Sequence, residues 1–167
     1  MVFYYAAIIL DAWLAAIRAL TSRRRAWRSL RGAWRALPGD LMGQTVMRGC
    51  GIPAPTRIVD AGVVSVVLVE HPNVGRYLGL GFIPVQAQTL GRYVFSRGPI
   101  PDHTLEHEIE HIRQWERLGP LYLPLYFGSS AVELLRGRRP YWDNGFEVAA
   151  RLRADREMAV RRDAGPS

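Results

Sequence analysis

"HTLEHEIEHIRQWERLGP", residues 103–120, places three histidines at four-residue intervals among four glutamates. Pro99 and Pro101 block a helix upstream, Asp102 or Thr104 can cap one, and Gly119-Pro120 ends it. The spacing therefore predicts a helix over 103–118. On such a helix Leu105, Ile109 and Ile112 form a core stripe. Glu106, Glu110, Arg113 and Arg117 form a charged stripe whose opposite-sign neighbours stand three or four apart, as on a solvated face. His107 and His111 belong to neither stripe. They are offset by ~40° around the axis and ~6 Å along it, which lets two imidazoles converge on one ion. His103 falls in the exposed first turn, and Gln114 and Trp115 read as helix packing.

"HEIEH" matches the pattern His-Glu-any-any-His. Zinc takes neutral imidazole nitrogens at ~2.0–2.1 Å in a tetrahedral array, and positions i and i+4 of a helix supply two corners. Glu108 projects toward the place of a metal-bound water, whose pKa falls to about 7, so it is the candidate general base. The competing reading is a surface helix of solvated His and Glu. A third ligand is needed. Downstream, "YWDNGFEVAARLRADREMAV" predicts a second helix beginning near Asn144, with Glu147 in its first turn and partly buried. Asn144 and Glu147 also have capping-box spacing, so Glu147 could instead bond its own backbone. Asp143 reads as part of the turn and His71 as a loop histidine. Tyr122, Tyr126 and Tyr141 are candidate oxyanion donors, each with an ordinary packing role as the alternative.

The segments "HEIEHIRQWERLGPLYLPLYF" and "YWDNGFEVAARL" resemble a set of small, mostly uncharacterised bacterial zincin-like proteins. These share an HExxH helix, a "Q-x-x-x-x-G-P-L-x-x-P-x-Y" stretch and an "N-P-F-E-x-x-A" stretch. The resemblance covers about residues 88–152. It implies a gluzincin-type zinc site in which a glutamate on the following helix, here Glu147, is the third ligand. It also implies that "QTLGRYVFS" is a strand edge along which a peptide lies. Gly145 stands where the related pattern has proline. Arg151 stands where gluzincins often have an aspartate supporting a histidine, which leaves Asp143 and Asp155 as candidate partners for the imidazoles.

With 49% apolar and 22% charged residues over 167 positions, the chain reads as one globular domain with an added segment. Its single cysteine, Cys50, excludes an internal disulfide framework and a Cys-based zinc motif. The net charge of +7 favours anionic partners, but all 22 positive charges are arginine, so their placement says more than their number. The opening "MVFYYAAIILDAWLAAIRALTSRRR" lacks the features of a cleaved signal peptide. It predicts a helical apolar segment, with Asp11 costing at least ~2.5 kcal/mol at mid-membrane if it spans. "TSRRRAWRSLRGAWRALPGD" continues as a basic amphipathic helix capped at Thr21 or Ser22 and stopped at Pro38-Gly39. Trp13, Trp27 and Trp34, with Arg24 and Arg28, are its candidate membrane-facing residues. The alternative is that the Trp stripe packs on the protein's own domain.

Beyond a boundary near residue 50, "RIVDAGVVSVVLVE" predicts a buried strand or bent strand pair. "NVGRYLGLGFIP" reads as a turn-rich connection, and "VQAQTLGRYVFSRG" as one more strand. "GPLYLPLYFGSSAVELL" is apolar but broken by Pro124 and Gly128, a hydrophobic flap or a surface that rests on a membrane; "RGRRP" is a basic loop. The expectation is an α+β, zincin-like domain over 51–167, a small sheet packed on the HExxH helix and a glutamate-bearing second helix, preceded by a membrane-associating helical segment over 1–50. The expected activity is hydrolysis of a peptide or protein using one Zn2+. Competing expectations are a non-catalytic metal-binding or interaction module, and a binder of membrane or nucleic acid acting through its arginines. No specific nucleic-acid motif is present.

Overall fold

The computed structural model describes residues 23–61, 64–79 and 85–164. Trp13 lies outside these, as do the apolar stretch 1–22 and the side chains of Arg24, Trp27 and Arg28. The described part is α+β: a mixed four-stranded sheet with helices packed around it. No helix among the described residues is long and apolar enough to cross a membrane.

Valine-rich residues 57–70 fold as the expected strand pair, β1 (Arg57–Ala61) antiparallel to β2 (Val64–Glu70). The single strand expected over 85–98 is instead a hairpin, β3 (Ala87–Leu90) and β4 (Tyr93–Ser96). Gly91 makes the reversal at φ 61°, where glycine meets no Cβ penalty. Sheet order is β1-β2-β4-β3, with β2 and β4 parallel, so β3 is an edge. The connection read as turns contains a short helix, α2 (Val74–Leu78).

Helix α1 (Arg23–Gly49) corrects a second expectation, because it runs through Pro38 rather than stopping there. An internal proline costs about 3 kcal/mol. What offsets it is a stripe of small residues that fits α1 closely to the domain. A Cβ on Gly32 would lie 2.9 Å from the Glu116 carboxyl, one on Gly39 would lie 2.5 Å from the Gly91 nitrogen, and one on Gly43 would lie 2.7 Å from the Tyr93 ring. Ala36 and Met47 are buried on the same face. Asp40, also buried, accepts from the Arg92 backbone N–H at 2.6 Å and from its guanidinium at 2.7 and 2.8 Å. Trp34, the one tryptophan of the stripe whose side chain is described, does not pack on the domain: it is 76% exposed.

The sheet is covered on both faces. Val64, Val66, Leu68 and Val94 pack toward Ile109 and Ile112 of α3 (Asp102–Leu118). Val69, Tyr93 and Phe95 pack toward Met47, Ile52, Val74 and Leu78 on the other side. After α3, a 3-10 turn (Gly119–Leu121) leads into α4 (Tyr122–Leu135), and α5 (Gly145–Asp163) returns along α3. Ala150 and Ala154 are fully buried on α5, letting the two helices approach closely. Glu106 departs from the solvated stripe: it is buried and paired with Arg161 of α5.

Candidate metal centre

Helix α3 starts at Asp102 and ends at Leu118 with Gly119 as its C-cap, as its boundary residues dictate, and it carries His107, Glu108 and His111 toward edge strand β3 and the start of α5. The N-cap of α5 is Asn144, whose side chain accepts from the Phe146 N–H at 2.9 Å and donates to the Tyr126 carbonyl and the Ser130 hydroxyl. Asn144 thereby caps alone, and Glu147 does not fold back on its backbone. Instead its carboxylate reaches across to α3. Glu147 Oε2 lies 3.2 Å from His107 Nε2, Glu147 Oε1 lies 3.3 Å from His111 Nε2, and the two Nε2 atoms are 3.1 Å apart.

These separations test whether a metal fits. Ligand atoms at ~2.0–2.1 Å from one tetrahedral ion stand about 3.3–3.4 Å from each other. The three here are within a few tenths of an ångström of that, and His107, His111 and Glu147 form the one such three-residue group among the described residues. Glu147 Oε2 is moreover buried without a hydrogen-bond donor, an expensive arrangement for a charged oxygen unless something else faces it.

Neighbouring groups fix the His111 imidazole. Gln114 Nε2 donates to the Phe146 carbonyl at 3.0 Å, which leaves Gln114 Oε1 to face His111 Nδ1 at 2.9 Å. An amide oxygen only accepts, so His111 Nδ1 carries a proton, and in the neutral imidazole that a metal takes it is Nε2 whose lone pair faces the site. Tyr122 Oη, 3.1 Å from the same Nδ1, lies behind His111. Tyr126 donates to Glu147 Oε1 at 2.7 Å. Glu108 is buried; the Thr89 hydroxyl of β3 donates to its Oε2 at 2.7 Å, leaving Oε1 for other partners.

The electrostatics reflect two carboxylates in a cleft lined by no arginine among the described residues. Burial alone would lower the pKa of His111, but its bond to Glu147 and the nearby Glu108 and Glu147 charges push it up to about 9. Burial acts to raise Glu147, yet the His107 and His111 rings beside it and the Tyr126 hydrogen bond hold it well below the usual carboxylate range. Burial, reinforced by the Glu147 charge, pushes Tyr122, Tyr126 and Tyr141 far up, so all three phenols keep their protons. The site thus binds positive charge strongly and offers neutral O–H donors.

The cleft encloses about 530 Å3 and runs along β3. Apart from the polar cluster, Gln88 and Ser130, its walls are apolar, including Leu78, Val85, Leu90, Leu123, Phe127 and Pro140. Tyr141 lines it as well. Of the other residues singled out, His103 is exposed and pairs with Asp155 at 2.9 Å, so Asp155 serves a surface pair and not a site imidazole. Asp143 binds the Arg139 N–H in the turn. His71 accepts from the Asn73 N–H at 3.1 Å, a loop role. Arg151 bonds the Trp142 carbonyl and stacks over the Trp142 ring, away from both imidazoles. Gln114 and Thr89 were not foreseen as site residues. The i, i+3 spacing of His111 and Gln114 is the signal that points to Gln114; nothing local points to Thr89. Compared with models of protein families, with curated proteins and with solved structures, the chain matches none.

Proposed function

We propose that this chain is a zinc-dependent peptidase with a compact zincin-like site. The observation that carries the reading is the convergence of His107 Nε2, His111 Nε2 and the Glu147 carboxylate at ligand spacing from two helices. A bound zinc ion would supply Lewis acidity, polarising the scissile carbonyl and lowering the pKa of a bound water to about 7. Glu108, anchored by Thr89, is the residue that would accept a proton from the attacking water as the water oxygen bonds to the carbonyl carbon. It then delivers the proton to the amine nitrogen as the C–N bond breaks. Tyr141, protonated and lining the cleft, is the donor for the developing oxyanion, while Tyr126, whose one O–H is committed to Glu147, holds that carboxylate in place. Tyr122 supports His111 from behind and takes no such role. The substrate is a peptide or protein laid along β3, and the apolar walls favour large apolar side chains.

The test is Glu108→Gln. Zinc content of the variant should match that of the unaltered chain, and turnover of a peptide substrate should fall about 10²–10⁴-fold. Unchanged turnover removes the mechanism; zinc without turnover in either chain leaves the non-catalytic metal-binding module. A peripheral association with anionic membrane is part of the same reading, favoured by exposed Trp34 beside exposed Arg31 and Arg35 on α1.

A further inference from the structure

Helix α4 has one charged residue, Glu133, on its inward side, and its outward side, which the domain leaves uncovered, is apolar. Tyr122, Tyr126, Ser129 and Glu133, at helical spacing, turn inward. The outward side is exposed and carries no charged side chain: Leu125, Phe127, Val132, Leu134 and Leu135, with Pro124, Gly128 and Ala131 between them and Leu121 of the preceding turn beside them. Leu135 is 87% exposed. An exposed apolar face of this extent, rimmed by charge, marks a surface that contacts another body or lipid. At its C-terminal end follow Arg136, Arg138 and Arg139, all exposed. The first two share the Glu133 carboxylate and the third pairs with Asp143, so three positive charges meet two negative ones. The connection then folds back beside α4 through Asn144 and presents half-exposed Trp142, with Arg151 over its ring.

We infer that α4 is a docking surface for an anionic lipid bilayer, lying in the interface with its apolar arc among the acyl chains and its arginine end among the headgroups. A bilayer complements both parts of this surface. A second copy of the chain, itself carrying +7, would complement only the apolar part. The geometry has a consequence for substrate. Phe127 is 63% exposed and also lines the cleft, as does Leu123 of the same helix, so the cleft opens at the edge of the docking face. Resting on the peptidase reading above, this points to peptide segments at or emerging from a membrane surface as the substrate class.

The test uses the full chain, phosphatidylcholine vesicles with and without phosphatidylglycerol, and two single variants at well-exposed positions, Leu121→Glu and Leu135→Glu. Removing one inserted leucine and adding a charge should weaken co-sedimentation with anionic vesicles about tenfold or more, with the folded circular-dichroism spectrum and zinc content retained. Binding should weaken again when phosphatidylglycerol is omitted. Unaltered binding by both variants overturns the inference and moves the contact to other residues, including 1–22. Loss of a dimer in the variants, seen by sedimentation, overturns it in favour of a second copy, and absence of vesicle binding by the unaltered chain overturns it outright. Glu108→Gln should bind vesicles as the unaltered chain does, so failure of the peptidase reading and failure of this one read out separately.

Discussion

Gln114 shows how a neutral side chain can set the chemistry of a charged site. Its amide is pinned by the Phe146 carbonyl at one end, which commits the other end to accept from His111 Nδ1. The imidazole is thereby held in one tautomer with Nε2 free. Gln114→Leu keeps the volume and loses both bonds, so it should weaken zinc binding about 10–100-fold, measured by competition with a chromophoric chelator. Equal affinity in the two chains would show that Tyr122 alone orients the ring. Asp143→Ala, which touches only the turn, should leave affinity unchanged. His107, Glu108, His111 and Glu147 were legible in the sequence because two helices encode their spacing locally. Gln114 was visible but read as packing, since the partner that gives it meaning lies thirty-two residues away. Thr89 was not legible, as its hydrogen bond to Glu108 depends on where edge strand β3 docks.

Elements were read well where their ends are marked and poorly where long-range packing decides. The α3 boundaries, the β1–β2 pair and the start of α5 follow from prolines, glycines, valine runs and the Asn144 cap. The β3–β4 reversal was missed because strand-forming residues stand on both sides of the single Gly91, and the carboxylate that receives the Arg92 N–H comes from Asp40 on α1. Helix α1 was cut short at Pro38 for a related reason: the gain that outweighs the proline is contact with residues far along the chain. Gly39→Ala separates local preference from packing. Helix propensity alone would stabilise by about 1 kcal/mol. The new Cβ would meet backbone atoms of Gly91 at 2.5 and 2.6 Å, which have no side-chain freedom with which to yield. Packing should prevail, lowering stability by about 2 kcal/mol or more in urea unfolding. Gly49→Ala, with nothing within 4 Å of its Cβ, should not be destabilising, and equal behaviour of the two variants would refute the close fit of α1.

At the scale of the whole molecule, α5 is joined to the rest chiefly through α3. Ala150 and Ala154 supply the close apolar contact, and His103–Asp155 and Glu106–Arg161 add polar ties along the same seam. Glu147 faces His107 and His111 across that seam, so an ion bound there would cross-link the helices and stabilise the fold by mass action. At free zinc about 1,000 times its Kd the gain is about 4 kcal/mol. For a chain of this size that corresponds to roughly 8–16 °C in Tm. Zinc should therefore raise the unfolding temperature of the chelator-treated protein by about that amount. His111→Ala and Glu147→Ala should each abolish most of the rise, because two remaining ligands hold the ion far more weakly. Asp155→Ala, which removes a surface tie without touching the three ligand atoms, should lower both curves slightly and preserve their separation. Superimposed melting curves with and without zinc would mean that the three side chains meet without binding the ion, and the catalytic reading built on their convergence would go with them.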